Sequence, residues 1–344
     1  MKKIAVIILN WNGAALLRQY MPSVVAGTDT TIADIIVADN GSQDDSLELL
    51  AREFPEVHVL PFEKNCGFAE GYNRAIKMTK YPLTVLLNSD VRVSSGWLEP
   101  LAAYMEANTD VAAAQPKVLH DGEPDDTPMF EYAGAAGGYL DCHGYPYCRG
   151  RLFDTIERDE GQYDGEPQSL MWASGACLVV RSRAYLAVGG LDPLFFAHME
   201  EIDLCWRLRL AGHRVAYVPG SHVFHLGGGS LPQGSPRKTY LNFRNNLLML
   251  YKNLPHRERR RLLIIRRLYD TLALAVEFLK GHWGNVKAIW QAHRDFRTMR
   301  HAYDTMPSPQ SDLLHDERAG RINIIWQYYV KRVKTFDRLP LDNG

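Results

Sequence analysis

At 344 residues and 46% apolar, with a formal net charge of −1, the chain has material for one large domain plus a smaller one and ample core. Its five cysteines (Cys66, Cys142, Cys148, Cys177 and Cys205) show no Cys-x-x-Cys spacing, which argues against a zinc site or a disulfide frame, and no apolar run approaches the ~20 residues of a membrane span. Charge is unevenly placed: residues 1–235 hold 18 Lys and Arg against 30 Asp and Glu, net −12, and residues 236–344 hold 21 against 10, net +11, so wholesale nucleic-acid binding is disfavoured while the basic tail suits something anionic.

Met1-Lys2-Lys3 leads straight into Ile4–Leu9, a continuous apolar run that predicts a strand buried on both faces. It is too short for a signal-peptide core, so a reducing, cytoplasmic setting is expected. Asn10-Trp11-Asn12-Gly13 closes the strand, and residues 14–25 read as a helix. A second strand over 35–38 ends in Asp39-Asn40-Gly41-Ser42, followed by a helix over 43–54 and a short strand over 57–60. Then come Asn65 to Asn73, a helix to Thr79, and a strand over 83–87 closed by Asn88-Ser89-Asp90. Alternating strands and helices with short connections predict a mostly parallel sheet covered on both faces. Ligands of such sheets lie beyond the carboxyl ends of the strands. Here those ends carry Asn10, Asn12, Asp39, Asn40, Asn88 and Asp90, a polar crescent fit for a nucleotide, although Asn and Asp also serve as turn residues. No Gly-x-Gly-x-x-Gly follows the first strand and no Gly-x-x-x-x-Gly-Lys occurs, which disfavours a dinucleotide dehydrogenase or a P-loop enzyme.

Residues 116–170 lose periodicity but are too aromatic for a disordered linker; they read as an ordered loop that shapes a site, or as a structural flap. Ser174 to Val180 returns as a buried strand. The run Phe195 to Arg207 reads as one helix that opens on carboxylates, with Asp203 four residues before Arg207 and Gly212 as its stop. Glu200, Glu201 and Asp203 within four positions exceed what capping requires. A short strand over 214–218 precedes Val223-Phe224-His225-Leu226-Gly227-Gly228-Gly229-Ser230. From Pro236 the chain turns basic and helical, with helices over 240–253, over 257–279 with six arginines between 257 and 267, near 285–303 and near 321–333. The basic helices either lie in a membrane interface, through residues 254–300, or pack as a hairpin on the catalytic domain.

Taken in order and spacing, Ile8 to Gly13, Val37 to Ser42, Asn65 to Asn73, Leu86 to Asp90, Ser174 to Cys177, Phe195 to Arg207, His225 to Ser230 and Arg244-Asn245 resemble the inverting family 2 glycosyltransferases. The resemblance is to the GT-A fold, especially bacterial rhamnosyltransferase-like members, and it runs from about Lys3 to Asn253. It implies a GT-A catalytic domain over residues 1–235 and a basic, mainly helical region over 236–344.

The resemblance further implies that Asn10, Asn12 and Asp39 hold the donor's base and ribose, with Asn40, Ser42, Asn65, Asn73 and Asn88 completing the nucleotide-sugar site. Of the family's Asp-x-Asp only Asp90 remains, since Asn88 takes the first place; Asp90 and His225 fall on the metal-ligand positions, for magnesium or manganese. The base position falls on Glu201, with Glu200 as the alternative base and Asp203 holding the helix or the acceptor. Trp172, Gly175, Arg244 and Asn245 fall on acceptor- or phosphate-binding positions. The implied partners are a nucleoside-diphosphate sugar, dTDP-rhamnose or a UDP-hexose, and a glycan or polyprenyl-diphosphate-linked acceptor in cell-surface polysaccharide synthesis. The expected location is cytoplasmic, peripheral on the inner face of the membrane. The alternative is an inactive nucleotide-sugar or glycan binder on the same fold, suggested by Asn88.

Overall fold

A computed structural model of the chain describes residues 3–122, 128–227, 234–316 and 318–341. Its first part alternates as the patterning predicts: β1 (Ile4–Asn10), α1 (Ala14–Gly27), β2 (Ala33–Asp39), α2 (Ser46–Glu53), β3 (His58–Pro61), α3 (Phe68–Thr79) and β4 (Leu83–Leu87). β1 pairs in parallel with β2 and with β4, and β2 with β3. Ile4, Val6 and Ile8 face a core layer shared with α1 and α2, while Ala5 and Ile7 face a second layer shared with α3. Both faces are thus buried, at roughly 1.5–3 kcal/mol for each large aliphatic side chain. That is why β1 reads as a continuous apolar run rather than an alternating one.

Beyond β4 the sheet becomes mixed. β5 (Val91–Val93) and α4 (Leu98–Ala107) lead to β6 (Val111–His120), and then to the short strands β7 (Gly138–Leu140), β8 (Pro146–Cys148), β9 (Arg151–Leu152) and β10 (Thr155–Ile156). After β11 (Gln168–Ser169), β12 (Cys177–Arg181) and α5 (Ser182–Ala187) come α6 (Glu200–Leu210) and the long β13 (Arg214–His225). The large sheet runs β11-β13-β6-β12-β4-β1-β2-β3, with β5 beside β13; β12 lies antiparallel to both β4 and β6. The aperiodic stretch 116–170 is therefore not one continuous loop. Its start completes β6, and β7 to β10 form a separate four-stranded antiparallel sheet. Its pattern is hidden because β6 buries Gln115 and Lys117 as well as apolar residues. Gln115 donates to the Gly134 carbonyl at 3.2 Å, and Lys117 pairs with Asp159 at 2.7 Å.

The acidic run departs most from expectation. It is not one helix from Phe195. A 3₁₀ turn over Pro193–Phe195 is followed by Phe196, His198 and Met199 at φ of 65°, 67° and 71°, and α6 begins only at Glu200. The cause lies far along the chain, in α7 (Pro236–Asn253). The Asn245 amide donates to the carbonyls of Phe195, Ala197 and His198 at 2.9, 2.8 and 2.7 Å, and Arg244 donates to those of Leu194 and Phe195 at 3.2 and 2.9 Å. These bonds satisfy carbonyls that a helix would have used internally. After α7 come α8 (His256–Leu279) and α9 (Trp283–Met299), both of which add residues to the core layer that holds α6. Where a helix was expected over 321–333 there is a single π turn, Trp326–Val330, whose Tyr328 packs on Phe153 of the small-sheet region at 4.9 Å between ring centroids.

Candidate active site

The carboxyl ends of β1, β2 and β4 supply one wall. Register sets Asn10 opposite Asp39, and the Asn10 amide donates to Asp39 Oδ2 at 3.0 Å and to Ser42 Oγ at 3.1 Å. The Asn12 N–H donates to Ser42 Oγ, and Asn12 Oδ1 accepts from the Gln43 N–H. Gly13 is required here, since a Cβ would collide with Asn10 Oδ1. That oxygen is buried with no hydrogen-bond partner, whereas the Trp11 ring beside it is 56% exposed. Asn40 ties Asn65 (3.0 Å) to the loop ahead of α3 through the Cys66 N–H (3.0 Å) and the Gly67 carbonyl (3.2 Å).

A second group lies where β4 and β13 end. His225 Nε2 is 3.1 Å from Asp90 Oδ1 and 3.5 Å from the Asn88 amide, and its Nδ1 is 3.3 Å from Glu131 Oε1. Burial opposes a charge on this imidazole, but hydrogen bonds to Asp90 and Glu131 outweigh it and lift the histidine to about 10. Asn88 Oδ1 is buried and unpartnered. One carboxylate and one imidazole thus meet as hard oxygen and nitrogen donors, with the unpartnered amide oxygen on the neighbouring Asn88 side chain, a set that fits magnesium or manganese alongside phosphate oxygens. Glu131 escaped the sequence reading because it stands in the aperiodic stretch, and only the fold brings it against His225. Gly228, Gly229 and Ser230, which follow this histidine in the motif, lie outside the described residues.

The third group is the start of α6. Glu201 lies against Gly175, whose Cβ would stand 3.5 Å from the Glu201 Cβ. The next residue, Ala176, accepts from the Asn88 N–H at 3.0 Å through its carbonyl. The glutamate is therefore joined to the Asp90–His225 group through two neighbouring residues. Glu200 and Glu201 each keep one buried carboxylate oxygen without a partner. Burial pushes Glu201 up to about 7, and burial together with the Glu201 charge pushes Glu200 well above the usual carboxylate range. His198 leads into this turn with an unpartnered Nε2, and is pulled down to about 4 by burial and the nearby Lys238 ammonium. A cavity of about 500 Å³ is lined by Tyr132, Phe153, Lys238 and Asn242, among others; Lys238 connects it to His198, but neither Glu200 nor Glu201 lines it.

Several residues expected in the site are held elsewhere. Asp203 is fully buried and bonded to Arg207 (2.7 Å), Lys252 (3.0 Å) and Asn253 (2.8 Å); it anchors α6 to α7 and is closed to proton transfer. Asn73 bonds to Tyr185 and to both the N–H and the carbonyl of Leu191, which makes it a brace rather than a donor contact. Arg244 and Asn245 face the 194–198 carbonyls rather than an open acceptor site. Trp172 is 5% exposed, donates to the Tyr139 carbonyl at 2.9 Å and packs on Gly138. Gly175 does border Glu201. A separate cluster, Asp141, Cys142 and His143, places possible ligand atoms within 4.8 Å of one another. Its carboxylate accepts from the N–H groups of His143, Tyr145 and Ile324, which makes it a turn support.

Residues 5–156 match the model of glycosyl transferase family 2. The N-acetylglucosaminyl-diphospho-decaprenol L-rhamnosyltransferase of Mycobacterium tuberculosis is 26% identical over 234 residues, 64% of this chain and 75% of that protein. The rhamnosyltransferase WbbL of Escherichia coli is 44% identical over 54 residues, 16% of this chain and 20% of that protein. Among solved structures, that of GalNAc-T7 with UDP, GalNAc and Mn2+ superposes with a TM-score of 0.55 at 18% identity, covering 73% of this chain and 48% of that one. At that identity the likeness is one of fold.

Proposed function

We propose that this chain, whose residues 5–156 match glycosyl transferase family 2 and whose fold is GT-A, inverts the anomeric carbon of a nucleoside-diphosphate sugar as it passes the sugar to a lipid-linked glycan acceptor. The observation that carries this reading is the join between Glu201 and the Asp90–His225 group through Gly175, Ala176 and Asn88. It supports the reading by tying the segment under one unpartnered carboxylate to the strand end that carries the cation-suited group.

In this reading Asp39, Asn10 and Ser42 hold the nucleoside, with the exposed Trp11 ring placed to stack on its base. Asp90 and His225, with the Asn88 oxygen beside them, would hold a magnesium or manganese ion that neutralises charge on the departing diphosphate. Glu131 accepts from His225 Nδ1 and so leaves Nε2 as the ligand atom. Glu201 takes the proton from the acceptor's hydroxyl. As the new carbon–oxygen bond forms, the bond to the diphosphate breaks. One displacement with one base inverts the centre. The donor proposed is dTDP-rhamnose, with a UDP-hexose as competitor, and the acceptor a polyprenyl-diphosphate-linked glycan; the similarity to the mycobacterial enzyme supports the rhamnosyl group and the polyprenyl-diphosphate carrier.

Asn88 in place of a carboxylate favours a second reading, a binder without turnover. The test is Glu201→Gln. Transfer is expected to fall below a hundredth of wild type, while the thermal shift given by dTDP or UDP with manganese stays within about twofold in apparent affinity. Equal loss of transfer and binding overturns the base assignment. A wild type that binds nucleotide yet transfers from neither donor class supports the binder.

A further inference from the structure

Helix α8 is built inside out. Its inward line, Leu262, Arg266 and Asp270, is buried and mostly ionic. Arg266 lies 3.3 Å from Asp270, His293 of α9 bonds the other Asp270 oxygen at 3.0 Å, and the Arg266 guanidinium stacks on the Tyr145 ring at 3.5 Å. The outward line is Ile264, Leu268, Leu272, Val276 and Leu279, exposed by 58%, 68%, 61%, 40% and 83%. Surface helices of soluble proteins show the reverse, with the apolar stripe inward. Phe278 and Trp283, both exposed, meet edge to face at 4.9 Å where α8 gives way to α9. The buried ion pair and its histidine pin the helix, so the apolar line cannot roll inward.

Charge on this helix is one-sided as well. Arg257, Arg260, Arg261 and Arg267 are exposed, and Lys280 follows at its end. Of the acidic residues within α8, Asp270 is buried, Glu277 is held by His282 and Asn285, and Glu258 is only half-exposed. A second copy of this face laid against it would bring arginine to arginine with little acid to offset them. An anionic bilayer offers both phases that the helix lacks, phosphate for the arginines and acyl chain for the leucines. No helix among the described residues is long and apolar enough to cross a membrane, so the helix lies flat.

We propose that α8 docks the protein on an anionic lipid surface, with Leu268, Leu272, Leu279 and the Phe278–Trp283 pair in the layer between headgroups and acyl chains. The arginines at its first half then meet lipid phosphates. This inference rests on α8 alone and does not depend on the transferase reading.

The test is flotation of the full chain with phosphatidylcholine vesicles that contain or lack phosphatidylglycerol, for wild type, for Leu268→Glu with Leu272→Glu, and for Arg260→Glu with Arg261→Glu. Melting temperature and light scattering accompany each protein. Wild type is expected to float with anionic vesicles and far less with neutral ones. The arginine pair should weaken binding by more than about fivefold per reversed residue, and the leucine pair by more than about tenfold, with melting temperatures unchanged. Wild type that stays in solution with anionic vesicles, or variants that float as well as it does, overturn the proposal. So does a wild-type dimer that the leucine pair converts to a monomer while neither protein binds vesicles.

Discussion

Asn245→Ala tests whether α7 builds the active site from a distance. The Asn245 amide is donor to the Phe195, Ala197 and His198 carbonyls, and its oxygen accepts from Arg244 Nε at 2.9 Å. Phe195 keeps Arg244 as a donor after the substitution, so two carbonyls and one guanidinium N–H lose their partners. At about 1–3 kcal/mol for a buried group left unsatisfied, and with water reaching part of this loop, the cost is about 2–4 kcal/mol. For a chain of this size that lowers the melting temperature by about 3–6 °C. The same carbonyls hold the left-handed turn that delivers Glu200 and Glu201, and a displacement of about 1 Å at a catalytic group costs on the order of a hundredfold in rate. Nucleotide affinity should hold within about twofold, because Asn10, Asp39 and Ser42 stand on other elements. Asn245→Asp is expected to be worse than Ala, since it sets an acceptor against three carbonyls. Thermal melts, nucleotide titration and transfer rates measured on one preparation decide the matter. An unchanged rate with an unchanged melt, or an Asp variant as good as wild type, refutes the reasoning.

Two further predictions follow from the carboxylates of α6. Because burial lifts Glu201 to about 7 and a base must be ionised, transfer at low donor concentration should rise with pH up to about 7 and level off above it. The stability sign is opposite: the folded value exceeds the unfolded one of about 4.3, so this group's contribution is complete at low pH and is lost as pH rises through about 7. Glu201→Gln should therefore melt close to wild type at acid pH and above it in alkali; a gap that does not depend on pH would refute this. Asp203→Asn removes the charge that Arg207 and Lys252 share, and should cost about 3 kcal/mol or more in stability with the rate per folded molecule kept. A stable variant without activity would return Asp203 to the catalytic group.

The parallel half of the fold is legible because each strand there is buried on both faces and each helix between has one apolar side. Ile4–Ile8 and Leu83–Leu87 carry no competing signal. β6 is not legible in the same way, since Gln115 and Lys117 are satisfied by carbonyls and carboxylates that lie 19 to 42 positions away. The start of α6 fails for the same reason at longer range, with its capping donors about 50 positions downstream. Local periodicity cannot report a hydrogen bond whose other half belongs to a different element.

The site shows the same division. Asn10 and Asp39 end paired strands, and His225 ends β13 opposite Val91, next to Asp90; register alone forms these two pairs, and they can be picked out as polar interruptions of apolar runs. Glu131 and Asn73 break no pattern, yet one faces His225 and the other braces the Leu191 loop. Polar residues in this chain thus divide by what they leave unsatisfied. Asn73, Asp203 and Asn245 fill their bonds with protein groups, whereas Asn10, Asn88, Glu200 and Glu201 each keep a buried oxygen without a partner. Buried polar atoms left open are costly in a folded protein, and here all four lie on the strand-end crescent or at the start of α6. Tyr217, Asn246 and Thr335 also keep a buried oxygen without a partner, on other elements. What points to a polar ligand is therefore not the number of open atoms but the place of these four, at strand ends and at a helix start, where such sheets bind their ligands.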